Sequence, residues 1–185
     1  MARAGLDAEA VVAAAASLAD TGGLAQLTLA RLAAVLGIRT PSLYAHIDGL
    51  GDLRARLGAR GARELAATLQ IAAAGRARGD ALRAVAAAYR EYAHAHPGTY
   101  AAMQVVSDSE EFEAAGAEVV GLIVAVLRGY GLDGEQAIHA VRAIRSSLHG
   151  FVSLEREGGF GLPVAVDGSY EQLVTMLDAG LAATR

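Results

Sequence analysis

The stretch TLARLAAVLGIRTPSLYAHI, Thr28 to Ile47, decides how this chain is read. Leu29, Leu32, Ala33 and Leu36 fall at i, i+3, i+4 and i+7, one apolar face of a short helix, and Thr28 stands where an N-cap belongs. Gly37 ends that helix, because glycine takes the left-handed conformation at little cost, and Ile38 can pack back across the turn. Thr40 followed by Pro41 starts a second helix: a side-chain cap, then a residue whose missing N–H would be unpaired there anyway. Leu43 and Ile47, at i and i+4, hold this helix down and leave Arg39, Thr40, Ser42, Tyr44 and His46 able to reach phosphates or base edges. Two short helices joined by a glycine turn predict a helix-turn-helix.

Outward from this unit the pattern stays helical. An alanine-rich helix over residues 7–20 precedes it, with Val11, Ala15 and Leu18 at i, i+4 and i+7, and a Thr-Gly-Gly break separates the two. A long helix follows from Leu50 to Ala74, stopped by Gly75; its Arg56, Arg60 and Arg63 form a stripe that reads either as a basic surface or as a solvated face. Further helices are expected from Ala81 to His96 with Asp80 as cap, from Thr99 to Val106, from Ser107-Asp108-Ser109 through Glu110 and Glu111 to Tyr130, and from Gly134 to Glu155. Ser169 with Gln172 reads as a capping box for a last helix ending at Ala183. No strand pattern occurs. The fold class is all-α with about nine helices, organised as a helix-turn-helix domain over residues 1–48 and a larger helical body over residues 49–185.

The run from Leu27 to Ile47, with the linker Asp48-Gly49-Leu50-Gly51-Asp52-Leu53, resembles the DNA-binding head of the TetR-type transcriptional regulators. The likeness covers about the first sixty residues, and Pro41-Ser42-Leu43-Tyr44 with His46 is its most specific part. It implies a homodimeric, ligand-responsive regulator: a repressor released from a palindromic double-stranded DNA operator by a small-molecule effector. Arg54 lies where family members touch the DNA backbone. Leu50 and Ala45 stand where relatives are often basic, which keeps open an alternative, a small-molecule-binding helical protein with weak or vestigial DNA binding. Leu148-His149-Gly150-Phe151 resembles the Trp-His-Gly pattern of one subgroup, with Leu148 in the place of Trp.

Apolar residues make up 54% of the 185, yet charges interrupt every long apolar run, so neither a membrane span nor a signal peptide is read and a cytoplasmic protein is expected. The lack of cysteine excludes disulfides and thiol chemistry. Net charge is −4, but residues 1–100 hold 11 Arg against 8 acids, and residues 101–185 hold 5 Arg against 12. The basic part carries the helix-turn-helix, as suits a protein that faces DNA with one end.

In the penultimate helix Ala137, Val141, Ile144, Leu148 and Phe151 form an apolar seam, and the last helix offers Leu173, Val174, Leu177 and Leu181 with Gly180 for close approach. Paired across a two-fold axis, these would make a four-helix bundle, unless both faces are core within one chain. A neighbouring stripe carries Arg142, Arg145 and His149. Either its arginines pair with acids among Glu110, Glu111, Glu113 and Glu118, or the stripe lines an effector pocket walled by Tyr89, Tyr92, Met103 and Phe112, suited to an acidic or polar ligand. His94 and His96, two apart, make a poor metal pair. No metal, cofactor or catalytic constellation is read, and the chain is not expected to be an enzyme.

Overall fold

The computed structural model describes residues 6–184, and all regular structure among them is helical. The order is α1 (Ala8–Gly22), a 3-10 turn (Leu24–Gln26), α2 (Leu29–Leu36), a 3-10 segment (Thr40–Ala45), α3 (Leu50–Ala73), α4 (Arg78–Ala95), α5 (Pro97–Ala102), α6 (Glu110–Arg128), α7 (Gly134–Arg156) and α8 (Val166–Ala183). Two compact units result: the chain up to Glu64 together with Ala95–Gly116, and Leu65–His94 together with the chain from Ala117 onward. Helices α3 and α6 each contribute residues to both.

In the first unit Asp7 caps α1, its carboxylate accepting from Ala10 N at 2.7 Å. Val11, Ala15 and Ala19 share one face of α1 and join Leu27, Leu32, Leu43, Leu53 and Leu57 in a buried cluster. Each leucine there contributes about 1.5–3 kcal/mol by burial. The end of α1 also holds α5. Asp20 accepts hydrogen bonds from Gly98 N (2.9 Å), Thr99 N (2.7 Å) and the Thr99 hydroxyl (3.1 Å), and His96 Nδ1 lies 3.3 Å from it. A helix start with no local side-chain cap thereby has its N–H groups satisfied from elsewhere in the chain. Gly98 permits the approach, since a Cβ there would stand 2.1 Å from the Ala19 carbonyl. On α3, a Cβ at Gly58 would meet Phe112 at 2.5 Å and one at Gly61 would meet Thr99 at 2.7 Å.

The second unit buries Leu65 and Leu69 of α3, Leu82 and Val85 of α4, Leu127 of α6, Ile144 and Val152 of α7, and Tyr170 and Val174 of α8. Two polar clusters tie these helices. Arg90 grips the Glu155 carboxylate with two hydrogen bonds, Nε to Oε2 at 2.9 Å, reaches Asp167 at 2.7 Å and lies 4.9 Å from the Tyr170 ring centroid. His94 Nε2 is 2.8 Å from the same carboxylate. Arg90 above all, with His94, holds the Glu155 carboxyl down to about 2 from its ordinary 4.5. In the other cluster the Tyr130 hydroxyl donates to Asp178 at 2.6 Å, and Arg83 bridges Asp178 and Asp80 at 3.1 and 2.9 Å.

The structure departs from the expected elements at several ends. Helix α8 starts at Val166 after Ala165, so Ser169 lies inside it and the capping box with Gln172 is not made. Helix α4 starts at Arg78, and Asp80 pairs with Arg83 within its first turn instead of capping it. Pro97 opens α5 as well as stopping α4, which moves the short helix to Pro97–Ala102. The α7 seam is core: Ala137, Val141, Ile144 and Leu148 are buried within the single chain, and half-buried Phe151 packs on Tyr170 and Phe160 with centroids 5.0 and 4.7 Å away. The same heptad-like spacing serves a core face or a helix pair equally well.

Asp20→Ala leaves two helix-start N–H groups without acceptors and is expected to cost about 2–4 kcal/mol in urea denaturation; Asp20→Asn, which keeps an acceptor oxygen, should lose less. Glu155 is bound more tightly as the carboxylate in the folded chain, so its contribution to stability is complete above pH 4.5 and disappears as pH falls through about 2. Glu155→Gln should therefore be less stable than wild type at neutral pH, with the two curves converging towards pH 2.

Candidate functional site

The helix-turn-helix is built on α2 and the 3-10 segment. Thr28 is extended and its hydroxyl oxygen accepts from Arg31 N at 3.2 Å, so α2 starts with the expected cap. Gly37 takes φ +67 and ψ 29, and the N–H groups of Gly37 and Ile38 close the helix on the carbonyls of Ala34 and Ala33 at 3.2 and 3.0 Å. The second helix is a 3-10 segment rather than an α-helix, and Thr40 is its first residue, not its cap. Ser42 N donates to Arg39 O and His46 N to Leu43 O, both at 2.9 Å, while Arg39 stands in the cap position without a side-chain bond. This tighter winding still buries Leu43 and Ile47 on the Leu32–Ala33 base.

Thr28, Arg39, Pro41, Ser42 and Tyr44 are exposed, Tyr44 to 59%, and Thr40 and His46 are half-buried. Hydroxyls, a phenol, an imidazole and a guanidinium thus stand on a buried aliphatic base. Arg54, at the start of α3, is half-buried with a buried Nε that makes no hydrogen bond. No Asp or Glu occurs from Thr21 to Ile47. Asp20 is committed to α5, and Asp52 to Asp48 N and Arg56, both at 2.9 Å. The α3 arginine stripe is not a free basic face: Arg56, Arg60 and Arg63 lie 2.9, 2.8 and 2.5 Å from carboxylates of Asp52, Glu64 and Glu111. Partly exposed pairs of this kind add little to stability, yet they cancel charge.

Comparison with known proteins places this geometry. Residues 82–177 match the family described as tetracyclin repressor-like, C-terminal domain. Over 179 residues the chain is 41% identical to the uncharacterized HTH-type transcriptional regulator Rv0681 of Mycobacterium tuberculosis, covering 95% of this chain and 82% of that protein. The chain belongs to the TetR family. A second relative, the uncharacterized HTH-type transcriptional regulator YobS of Bacillus subtilis, is 36% identical over 85% of this chain and 83% of its own. The solved structure of a TetR variant from Acinetobacter baumannii AYE in complex with minocycline shares the fold at a TM-score of 0.74, with 22% identity over 95% of this chain and 96% of that one. The protein is a helix-turn-helix transcriptional regulator of the TetR family.

The candidate effector residues of this TetR-family regulator are dispersed. Tyr89 and Tyr92 are buried on α4. Arg142 and Arg145 are exposed on α7 and form no ion pair among the described residues. His149 is half-buried, and that burial, followed by the nearby charges of Arg145 and Arg156, lowers its pKa below the ordinary 6.5. Met103 and Phe112 belong to the first unit, where they pack on the bare backbone of Gly61 and Gly58. Around α8 run two grooves, one of about 570 Å³ along Phe151, Val164, Gln172, Leu173 and Met176, the other of about 390 Å³ along His139, Ala143, Met176, Leu177 and Gly180. No Asp, Glu or Arg lines either of them. Among the described residues no helix is long and apolar enough to cross a membrane.

The head's base and its outward side should separate by mutation. Leu43→Ala is expected to cost about 2–5 kcal/mol, measured by denaturation, because a fully buried leucine leaves a cavity. Tyr44→Ala, at an exposed position, should stay within about 0.5 kcal/mol of wild type.

Proposed function

We propose that this regulator is a homodimeric repressor that reads a palindromic operator with residues 1–48 and leaves it when residues 49–185 bind a small-molecule effector. It acts in the cytoplasm and carries out no catalysis. One observation carries the reading: a helix-turn-helix whose outward side holds Arg39, Ser42 and Tyr44 and whose own sequence contains no carboxylate. Arg39, Thr40 and Ser42 are assigned to base edges, Thr28, Tyr44, His46 and Arg54 to phosphates, and Pro41 to the shape of the segment that carries them. The Thr28 hydroxyl oxygen accepts from the α2 backbone, which leaves its hydrogen to donate to a phosphate.

A two-fold operator needs two heads about 34–36 Å apart. The charge-free grooves around α8 support dimerisation there, since an isologous contact sets each surface against its own copy and like charges would oppose themselves. Leu173, Leu177 and Gly180, with Met176, supply that face, and Leu181 lines the groove beside Leu177. For the effector, Arg142, Arg145 and His149 with Tyr89 and Tyr92 would favour an acidic or polar ligand, as the minocycline complex of the A. baumannii protein favours ligand control in general. The effector must bind one conformation better than the other; a tenfold fall in DNA affinity takes about 1.4 kcal/mol of that difference.

The test is binding of the full chain to DNA flanking its own coding region across a salt titration. Affinity should fall steeply with salt, with a log–log slope of about −0.9 for each phosphate contacted. A flat response would favour the ligand-binding alternative, which Ala45 and Leu50 suggest. Met176→Arg, at a side chain 61% exposed in the single chain, should give a folded monomer by light scattering and weaken operator binding about 100-fold or more, because linked heads bind at high effective concentration.

A further inference from the structure

We infer that Arg31, on the first helix of the helix-turn-helix, is an additional DNA contact, and that Gln26 positions its guanidinium to grip a phosphate; this rests on the DNA-binding reading above. In the first unit, Arg31, Arg39 and Arg54 are the arginines without a carboxylate partner among the described residues, and all three lie in or next to the helix-turn-helix. Arg31 differs from the other two in being held. Its Nη1 donates to Gln26 Oε1 at 2.7 Å and to the Gln26 carbonyl at 3.3 Å. Both Nη1 hydrogens are thereby engaged, and the Nε–H and Nη2–H edge remains, two parallel donors that match a phosphate.

The choice of partner matters. Several other arginines are held by carboxylates, as Arg83 with Asp80 and Asp178 or Arg90 with Glu155 and Asp167. At position 26 the chain uses an amide, which orients the guanidinium and leaves its charge uncancelled. Gln26 is itself placed by the 3-10 turn that follows Gly23 (φ +84) and precedes the buried Leu27. Anchoring one end of a long side chain reduces the rotamer freedom lost when the other end binds. Gln26 is a positioning residue, and Arg31 the contact.

The experiment is fluorescence anisotropy of the full chain on the flanking-DNA duplex and on an unrelated duplex, between about 50 and 200 mM salt. Arg31→Ala should weaken binding to both by a similar factor, about 5- to 20-fold at the low-salt end, and make the log–log slope shallower by about 0.9 for each half-site. Gln26→Glu should reproduce the loss of slope while leaving the melting temperature unchanged or raised, because the carboxylate holds Arg31 more firmly and cancels its charge. A purely structural pair would show the same effect on stability with DNA binding intact. Arg128→Ala, exposed on α6, removes the same charge elsewhere and should leave the slope unchanged. Wild-type slopes in both Arg31→Ala and Gln26→Glu would overturn this inference; a wild type with no salt-dependent binding to any DNA would overturn the DNA-binding reading instead.

Discussion

The first unit depends on the contact between the end of α1 and the start of α5. Gly98 lies so close to Ala19 that any side chain at 98 would enter the α1 backbone, and Asp20 receives the N–H groups of Gly98 and Thr99 from 78 and 79 residues away. The hydrogen-bond accounting closes: Pro97 has no N–H to satisfy, Gly98 and Thr99 use Asp20, and Tyr100 N uses His96 O at 2.8 Å. A six-residue helix would be marginal alone. Here it is fixed by a carboxylate from the last turn of α1, and this is why residues 95–116 belong with the chain up to Glu64 and not with the helices that flank them in sequence.

The charge distribution follows from where carboxylates are used. The formal charge of −4 describes no face of the molecule. Along α3 each arginine of the stripe has an acid beside it, and in the second unit Arg83 and Arg90 each face two. The segment from Thr21 to Ile47 differs, with two arginines and no acid. Unpaired cations are what a polyanion recognises, because each phosphate contact releases condensed counterions that an internal ion pair would already have replaced. The proposed DNA-reading side would therefore be defined as much by the acids it lacks as by the bases it holds.

Local signals were readable from the residues and long-range ones were not. Thr28 and Gly37 act within a turn of where they stand, so the helix ends they set are visible in a window of a few residues. Ser169 and Asp80 carried equally good local signals and were overruled, because α8 and α4 each begin about a turn earlier than a cap there would allow. The 3-10 winding of Thr40–Ala45 buries Leu43 and Ile47 together, a tertiary demand that composition does not encode. Nothing near Asp20 announces Gly98, and the α7 seam could not declare whether its neighbour would be its own chain or a second one. The proposed DNA-contact list came from local spacing, while the effector list needed tertiary placement that helical phase alone does not supply.

The glycines of α3 bear on how ligand control would reach the head. At Gly58 and Gly61 the helix presents bare backbone to Phe112 at the start of α6 and to Thr99 and Met103 at α5. Packed contacts of this kind do not deform gradually; they hold or they change partner. Beside them the Arg63–Glu111 pair joins the same two helices across solvent-exposed atoms and is easily broken and remade. A displacement of the first turn of α6 would thus meet a stiff steric seat and a soft ionic one. The seat would transmit motion to α3, and the ion pair would add little resistance to it.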